Sequence, residues 1–212
     1  MLPTDSRIFY LYDALCGWCY GFSPVMVKLH ANYGDRIGFE VVSGGMIRGA
    51  AVRPASTMAD YIMGAYPRVE QLTGIKFGEA YLELLRKGTS MLNSVPPALA
   101  MSLFKQKTAR FAVEFAADIQ RAIHFEGAEP DDWKGYAVMA SNYGWDMQEF
   151  LDGLENPMTM EWAQEEFELC EGWGVQGFPA VVLLHNQQLM MIAQGYTPYE
   201  VLEERLKMAI KD

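Results

Sequence analysis

The sequence is short of positive charge. Lys and Arg number 17 against 27 Asp and Glu, a formal net charge of -10, and no local cluster of basic residues offsets it. Such a chain repels phosphate backbones, so no nucleic-acid partner is expected. No apolar run reaches the length of a bilayer span, which predicts no membrane partner. The opening residues, MLPTDSRIFYLYDALC, break their apolar stretch with Asp5, Arg7 and Asp13 and have no small-residue cleavage site, so they do not read as a secretory signal. Together these absences predict a cytoplasmic protein. Cysteine and histidine are equally sparse: Cys16, Cys19 and Cys170, with His30, His124 and His185. A chain of 212 residues, half of them hydrophobic, buries a core without disulfide staples, and stable disulfides are rare in the cytosol. Internal repeats and low-complexity linkers are also missing.

What is present follows a recognisable order. Residues 7 to 13, RIFYLYD, form a continuous apolar run that predicts a buried strand. From Gly17 to Tyr33 the spacing of Phe22, Val25, Met26 and Leu29 predicts a helix stopped at Gly34. Residues 36 to 43 predict a second strand, which makes a parallel βαβ unit. After Pro54 only helical patterns appear for about a hundred residues. They include 78 to 88, a helix behind Asn93 and Ser94 with Pro96-Pro97, 109 to 127, and helices capped by Asp131 and Asp146. One more helix covers 161 to 174. The apolar runs 180 to 184 and 189 to 193 flank His185-Asn186-Gln187-Gln188 as a hairpin, and Thr197-Pro198 starts a last helix with proline at its first position. The expected class is α/β, a thioredoxin-like domain of residues 1–54 and 159–212 around an inserted helical domain, 55–158.

The stretch DALCGWCYGFSP, 13 to 24, carries the chemistry. Cys16 falls where the first strand hands over to the first helix, so its sulfur meets unpaired backbone N–H groups and the positive end of the helix dipole, both of which favour thiolate. Cys19, one turn on, is placed to close a disulfide with the more exposed Cys16. This predicts a two-step exchange, in which Cys16 attacks a disulfide and Cys19 resolves the mixed disulfide. Two other uses stay open on the residues alone. A metal site needs about four ligands and finds no second paired motif, unless a homodimer supplies it, and two cysteines can also simply pack in a core.

The segments YDALCGWCYGF (12 to 22), Gly44-Gly45, NSVPPALA (93 to 100), IQRAIHFEG (119 to 127) and GVQGFPAVV (174 to 182) resemble the DsbA-like family of thioredoxin-fold disulfide oxidoreductases. The similarity is greater to its FrnE-like cytosolic branch of predicted protein disulfide isomerases. The resemblance implies a thiol–disulfide oxidoreductase or isomerase with Cys16 and Cys19 as its redox pair and a cis-proline at Pro179. It implies that Gly177, Phe178 and Pro179 bind substrate; Trp18 covers the sulfur or joins a hydrophobic contact surface for substrate, or it only packs the first helix. It implies no resident cofactor or metal, a protein or small-molecule thiol or disulfide as substrate, and glutathione as a candidate cosubstrate. The sequence departs from the strong oxidants of the family, which carry histidine between the cysteines; Gly17-Trp18 supplies no charge, so a weaker lowering of the Cys16 pKa is expected. Pro24 is expected to remove a hydrogen bond from the first helix.

Three further residues are candidates with two readings each. Asp13 opposes the thiolate or relays a proton, or it only caps a turn. Cys170 is a third redox residue or a core cysteine, and His124 reaches the cleft or packs. The helical section holds Met58, Met63, Met91, Met101, Met139 and Met147, which line an adaptable surface or fill the core. An apolar groove is expected between the helical section and the α/β part. Two rival functions remain: a glutathione-dependent isomerase or transferase of this architecture, in which serine usually replaces the first cysteine, and a redox-regulated binding or chaperone module without turnover.

Overall fold

The computed structural model describes residues 6–210; Asp5 and the outermost ends of the predicted flanking segments lie outside the described residues. Strand β1 (Arg7–Tyr12) is central because its side chains are apolar on both faces. Helix α1 (Gly17–Tyr33) connects it to β2 (Gly38–Ser43), which pairs with β1 in parallel, Arg7 opposite Gly38 and Tyr12 opposite Ser43. Arg36 and Ile37, expected in the strand, instead donate their N–H groups to the Tyr33 carbonyl in the turn leaving α1. Strand β5 (Ala180–His185) pairs antiparallel with the other edge of β1, and β6 (Gln188–Gln194) pairs with β5, giving the order β2-β1-β5-β6. The period of two divides β1 cleanly. Ile8, Tyr10 and Tyr12 join the main core, while Leu11 joins Val42, Ala180, Val182 and Cys170 on the opposite face.

Between β2 and β5 the chain is largely helical. A two-stranded ribbon, β3 (Arg53–Pro54) with β4 (Met91–Leu92), brackets α2 (Ala59–Thr73) and α3 (Glu79–Lys87). Then come α4 (Val95–Thr108), α5 (Ala112–His124), α6 (Trp133–Ser141) and α7 (Met147–Leu154), followed by α8 (Pro157–Gly172) and, after the hairpin, α9 (Tyr199–Ala209). The fold is thus α/β and thioredoxin-like with a helical insertion. One buried cluster runs from Ile8 and Tyr10 on the sheet through Phe22 on α1 to Phe104, Phe115 and Phe150 in the inserted helices. Helix α5 packs along α1, and α8 packs on α4 and β2.

Local chemistry shifts several boundaries. The N-cap of α6 is Asp132, not Asp131, because the Asp132 carboxylate is the one that accepts the Gly135 N–H, at 2.9 Å. Helix α8 starts four residues early, since Asn156 caps it and Pro157 occupies its first position. Pro198 is the cap of α9 and lies in extended conformation; Thr197 turns its hydroxyl to the Gly195 carbonyl at 3.4 Å. Gly34 ends α1 in ordinary right-handed conformation, and its reason for being glycine is space, since a Cβ would stand 2.8 Å from the His30 ring and carbonyl. Residues 109–111 form a 3-10 turn ahead of α5. Pro24 does lie inside α1, and the Tyr20 carbonyl it leaves without an amide partner accepts the Ser23 hydroxyl at 2.9 Å.

Candidate functional site

Cys16 is the N-cap of α1, with extended backbone and no side-chain cap bond of its own. Its N–H donates to the Asp13 carbonyl at 3.1 Å and its carbonyl accepts the Tyr20 N–H at 3.0 Å, so the sulfur is held at the open end of the helix. The neighbouring Cys19 thiol, together with the N–H groups of Cys19 and Trp18, lowers the Cys16 pKa against burial and the Asp13 charge. Cys19 is wholly buried, and that burial pushes its thiol well up. Both cysteines are free thiols in this structure. The pair is therefore asymmetric, with Cys16 the more readily ionised of the two sulfurs.

Across from Cys16, the Phe178–Pro179 bond is cis, and the Phe178 carbonyl lies 3.4 Å from the Cys16 Sγ. Gly44 makes room for this arrangement. A Cβ there would sit 2.0 Å from the Phe178 ring, so glycine is required by the approach of that side chain. Gly44 is itself fixed by donating to the Tyr12 carbonyl at 2.7 Å.

Asp13 is 2% exposed and acts as a knot between three segments. Oδ1 accepts the Leu15 N–H at 2.9 Å and the Ser94 hydroxyl at 3.0 Å, and Oδ2 accepts the Met46 N–H at 2.7 Å. Burial raises its pKa while these donors oppose the rise. His124 supports the next residue, with Nε2 3.0 Å from the Ala14 carbonyl. That acceptor requires the proton on Nε2, and burial holds the ring pKa at about 4, so His124 is neutral at pH 7. The ring stacks on Tyr20 and meets the edges of Phe77 and Tyr81. The loop ahead of Cys16 is therefore clamped on both sides.

Cys16 keeps only 8% of its surface, less than the exposed position expected from sequence, with the Phe178 carbonyl set against its sulfur. What it opens into is a cavity of about 450 Å³ between the α/β part and the inserted helices. Trp18, His124, Gly177 and Phe178 line it with Cys16. Cys19, Asp13 and Pro179 stand behind this wall. Cys170 is not brought to the site: it lies on the other face of the sheet, its thiol 3.7 Å from the Ser43 carbonyl, and burial pushes its pKa up to about 12. Of the six methionines singled out above, Met58 lines the cavity, Met101 is core, and Met91 and Met147 are exposed on the surface.

The sequence reading missed most of the cavity wall. Met46, Tyr61, Tyr66, Phe77 and Tyr81 belong to it. The signal was available in α2, where Met58, Tyr61, Ile62, Ala65, Tyr66 and Val69 recur at helical spacing. Among the described residues no group of three or more His, Cys, Asp and Glu is arranged to hold a metal, and no helix is long and apolar enough to cross a membrane.

Residues 9–204 match the family profile described as thioredoxin. No curated protein sequence matches the chain. Among solved structures, a "putative protein disulfide isomerase" from Nitrosomonas europaea superposes with a TM-score of 0.84 at 20% identity, covering 98% of each chain. The cytosolic disulfide reductase DsbM from Pseudomonas aeruginosa gives 0.79 at 25% identity, over 97% of this chain and 98% of that one. The same protein solved with GSH gives 0.79 at 24%, over 97% and 100%. The chain therefore belongs to the thioredoxin family; it shares the fold of these structures, and its own first helix opens on the Cys16–Cys19 pair.

Proposed function

We propose that this protein is a thiol–disulfide oxidoreductase that works in the reducing direction, as a reductase or isomerase, with Cys16 as nucleophile and Cys19 as resolving thiol. The observation that carries the reading is the Cys16 Sγ at the start of α1, 3.4 Å from the carbonyl of the cis Phe178–Pro179 unit and open to a cavity. The opposed pKa directions of the two cysteines support the same division of roles. The Cys16 thiolate attacks one sulfur of a substrate disulfide; a new S–S bond forms, the substrate bond breaks, and the departing thiolate takes up a proton. Cys19 then gives up its proton and attacks the Cys16 sulfur, which releases the second substrate thiol and leaves the Cys16–Cys19 disulfide. Two electrons have passed to the substrate. In the isomerase mode a substrate thiol displaces Cys16 before Cys19 acts.

Backbone at Gly177 and Phe178 supplies the platform for an extended substrate segment, and Trp18 covers the sulfur side. Two equivalents of a small thiol return the pair to the dithiol; glutathione, present in the DsbM structure, is our assignment for that reductant. A reductase or isomerase of this kind suits a reducing compartment, as for the cytosolic DsbM. The inserted segment, residues 55–158, is read as the unit that builds the far wall of the cavity.

The test is disulfide exchange by the purified protein, followed by mass spectrometry of the intact chain. Cys16→Ser is expected to abolish turnover, and Cys19→Ser to accumulate a mixed disulfide on Cys16. Turnover that survives Cys16→Ser would refute the mechanism.

A further inference from the structure

We infer that the cavity beside Cys16 selects disulfides whose attacked sulfur carries an uncharged, aromatic-sized apolar group, ahead of anionic disulfides such as that of glutathione. This deepens the redox reading above and rests on it. The apolar stripe of α2 is the first reason. Met58, Tyr61, Ile62, Ala65, Tyr66 and Val69 all face the cavity, yet Val69 alone among them is buried. Amphipathic helices normally put such a stripe wholly against the core; here Met58, Ile62 and Tyr66 touch the core only in part, and the stripe also fronts the cavity that holds the Cys16 sulfur.

Charge is the second reason. No Lys, Arg, Asp or Glu contributes to the lining, and His124, the wall's one imidazole, is neutral at pH 7. The Ser90 hydroxyl in the wall donates to the Glu129 carboxylate, so the charge tied to the lining is negative. The chain as a whole carries -10. A glutathionyl tail would bring carboxylates into this space with no cation to meet them, and burying an unpaired charge is unfavourable.

Size is the third. A dry apolar cavity of about 150 Å³ already holds benzene, so about 450 Å³ accommodates an aromatic ring with the short chain joining it to sulfur. The Cys16 thiolate attacks that sulfur, its S–S bond breaks, and the polar half leaves as a thiolate that takes a proton from water. The apolar half stays on Cys16 with its tail in the cavity until Cys19 releases it. Glutathione, in this scheme, reduces the Cys16–Cys19 disulfide by attacking the Cys16 sulfur, since Cys19 is wholly buried, and its carboxylates stay at the solvent mouth of the cavity while the apolar wall is left unfilled.

The test uses the full chain, reduced, with three disulfides: benzyl 2-hydroxyethyl disulfide, bis(2-hydroxyethyl) disulfide and glutathione disulfide. Each rate is divided by the rate of the same compound with dithiothreitol, which removes intrinsic leaving-group differences. The benzyl compound is expected to react roughly tenfold or more faster than the other two. With Cys19→Ser, the mass added to Cys16 is expected to be the benzylthio half. Leu84→Arg, which places a cation in the wall, is expected to move the preference towards glutathione disulfide. Equal normalised rates, retention of the hydroxyethylthio half, or a faster reaction with a disulfide in an unfolded protein would overturn the selectivity and leave the redox reading standing. Failure of Cys16 to react with any disulfide would overturn both.

Discussion

Gly44 and Phe178 show how little room the site leaves at the scale of single residues. The Cβ of Gly44→Ala would fall 2.0 Å from the Phe178 ring, so the ring and the carbonyl opposite Cys16 have to move. Overpacking of this kind costs about 1–3 kcal/mol, and the variant is expected to lose stability by that amount in urea denaturation while disulfide exchange slows about tenfold or more. Loss of stability with unchanged exchange would show that the Phe178 carbonyl need not lie where it does. His124 makes a different prediction, through pH. Its folded pKa, about 4, lies below the ordinary value near 6.5. The unfolded chain therefore binds the proton first. The stabilisation is full above pH 6.5 and is lost as pH falls towards 4, by about 3 kcal/mol for a shift of this size. His124→Gln, which can still donate to the Ala14 carbonyl, is expected to flatten the wild-type fall in stability over that window, whatever its effect at pH 7. An unchanged slope would mean that another group titrates there.

Elements add constraints that no single side chain carries. The β5–β6 hairpin turns through Asn186 and Gln187, both at positive φ, 49° and 63°. A two-residue turn of this hand suits the right-handed twist of the strands but favours glycine at its second position. Gln187→Gly is expected to raise stability by about 0.5–1 kcal/mol, read as a higher denaturation midpoint; a drop would mean that Gln187 makes a contact worth more than its backbone strain. Helix α1 shows the opposite economy. Its proline removes an amide donor four residues after Tyr20, and the adjacent Ser23 supplies a hydroxyl to the same carbonyl, so the helix runs on to Tyr33 with that acceptor satisfied.

On the scale of the molecule, a buried ionic knot joins the sheet to the inserted helices. Glu166 on α8 accepts the Ser43 N–H of β2 at 2.7 Å and the Ser102 hydroxyl of α4 at 2.7 Å, and pairs with Lys105 of α4 at 2.8 Å. Lys105 also reaches Glu40 at 3.1 Å and the Val41 carbonyl at 2.6 Å. Burial opposes the charge on Lys105, but Glu166 and Glu40 outweigh it and hold its pKa up. Removing one partner of such a pair leaves the other uncompensated, so Lys105→Met is expected to cost about 3–5 kcal/mol, measured by denaturant unfolding. A cost under about 1 kcal/mol would show that the pair is effectively solvated.

Much of this architecture was legible beforehand because it is written in local pattern. The apolar run of β1, the spacing in α1 and the two runs of the hairpin each fix an element through side-chain periodicity. Boundaries slipped where a neighbouring polar residue competed for the same duty, as with Asp131 and Asp132, or where a hydroxyl found another acceptor, as with Thr197. Site residues divided in the same way. Cys16 and Cys19 are three residues apart and were readable, whereas Met46 reaches the cavity on the loop after β2, held by Asp13, and Phe77 and Tyr81 reach it from just before and within α3, placements that depend on distant parts of the chain.

The sequence by itself determined the order of the main-sheet strands and the helical character of the section between them, though not the short β3–β4 ribbon, and it set the position of two cysteines at a strand-to-helix junction, since these depend on neighbours a few residues apart. Only the tertiary structure decided what each polar group does. It buried Cys170 on the far face of the sheet, turned Asp13 into a knot between loops, kept His124 neutral, and left the apolar face of α2 turned towards Cys16. These outcomes depend on burial and on partners drawn from distant parts of the chain, and burial sets both the charge of a group and the company its side chain keeps.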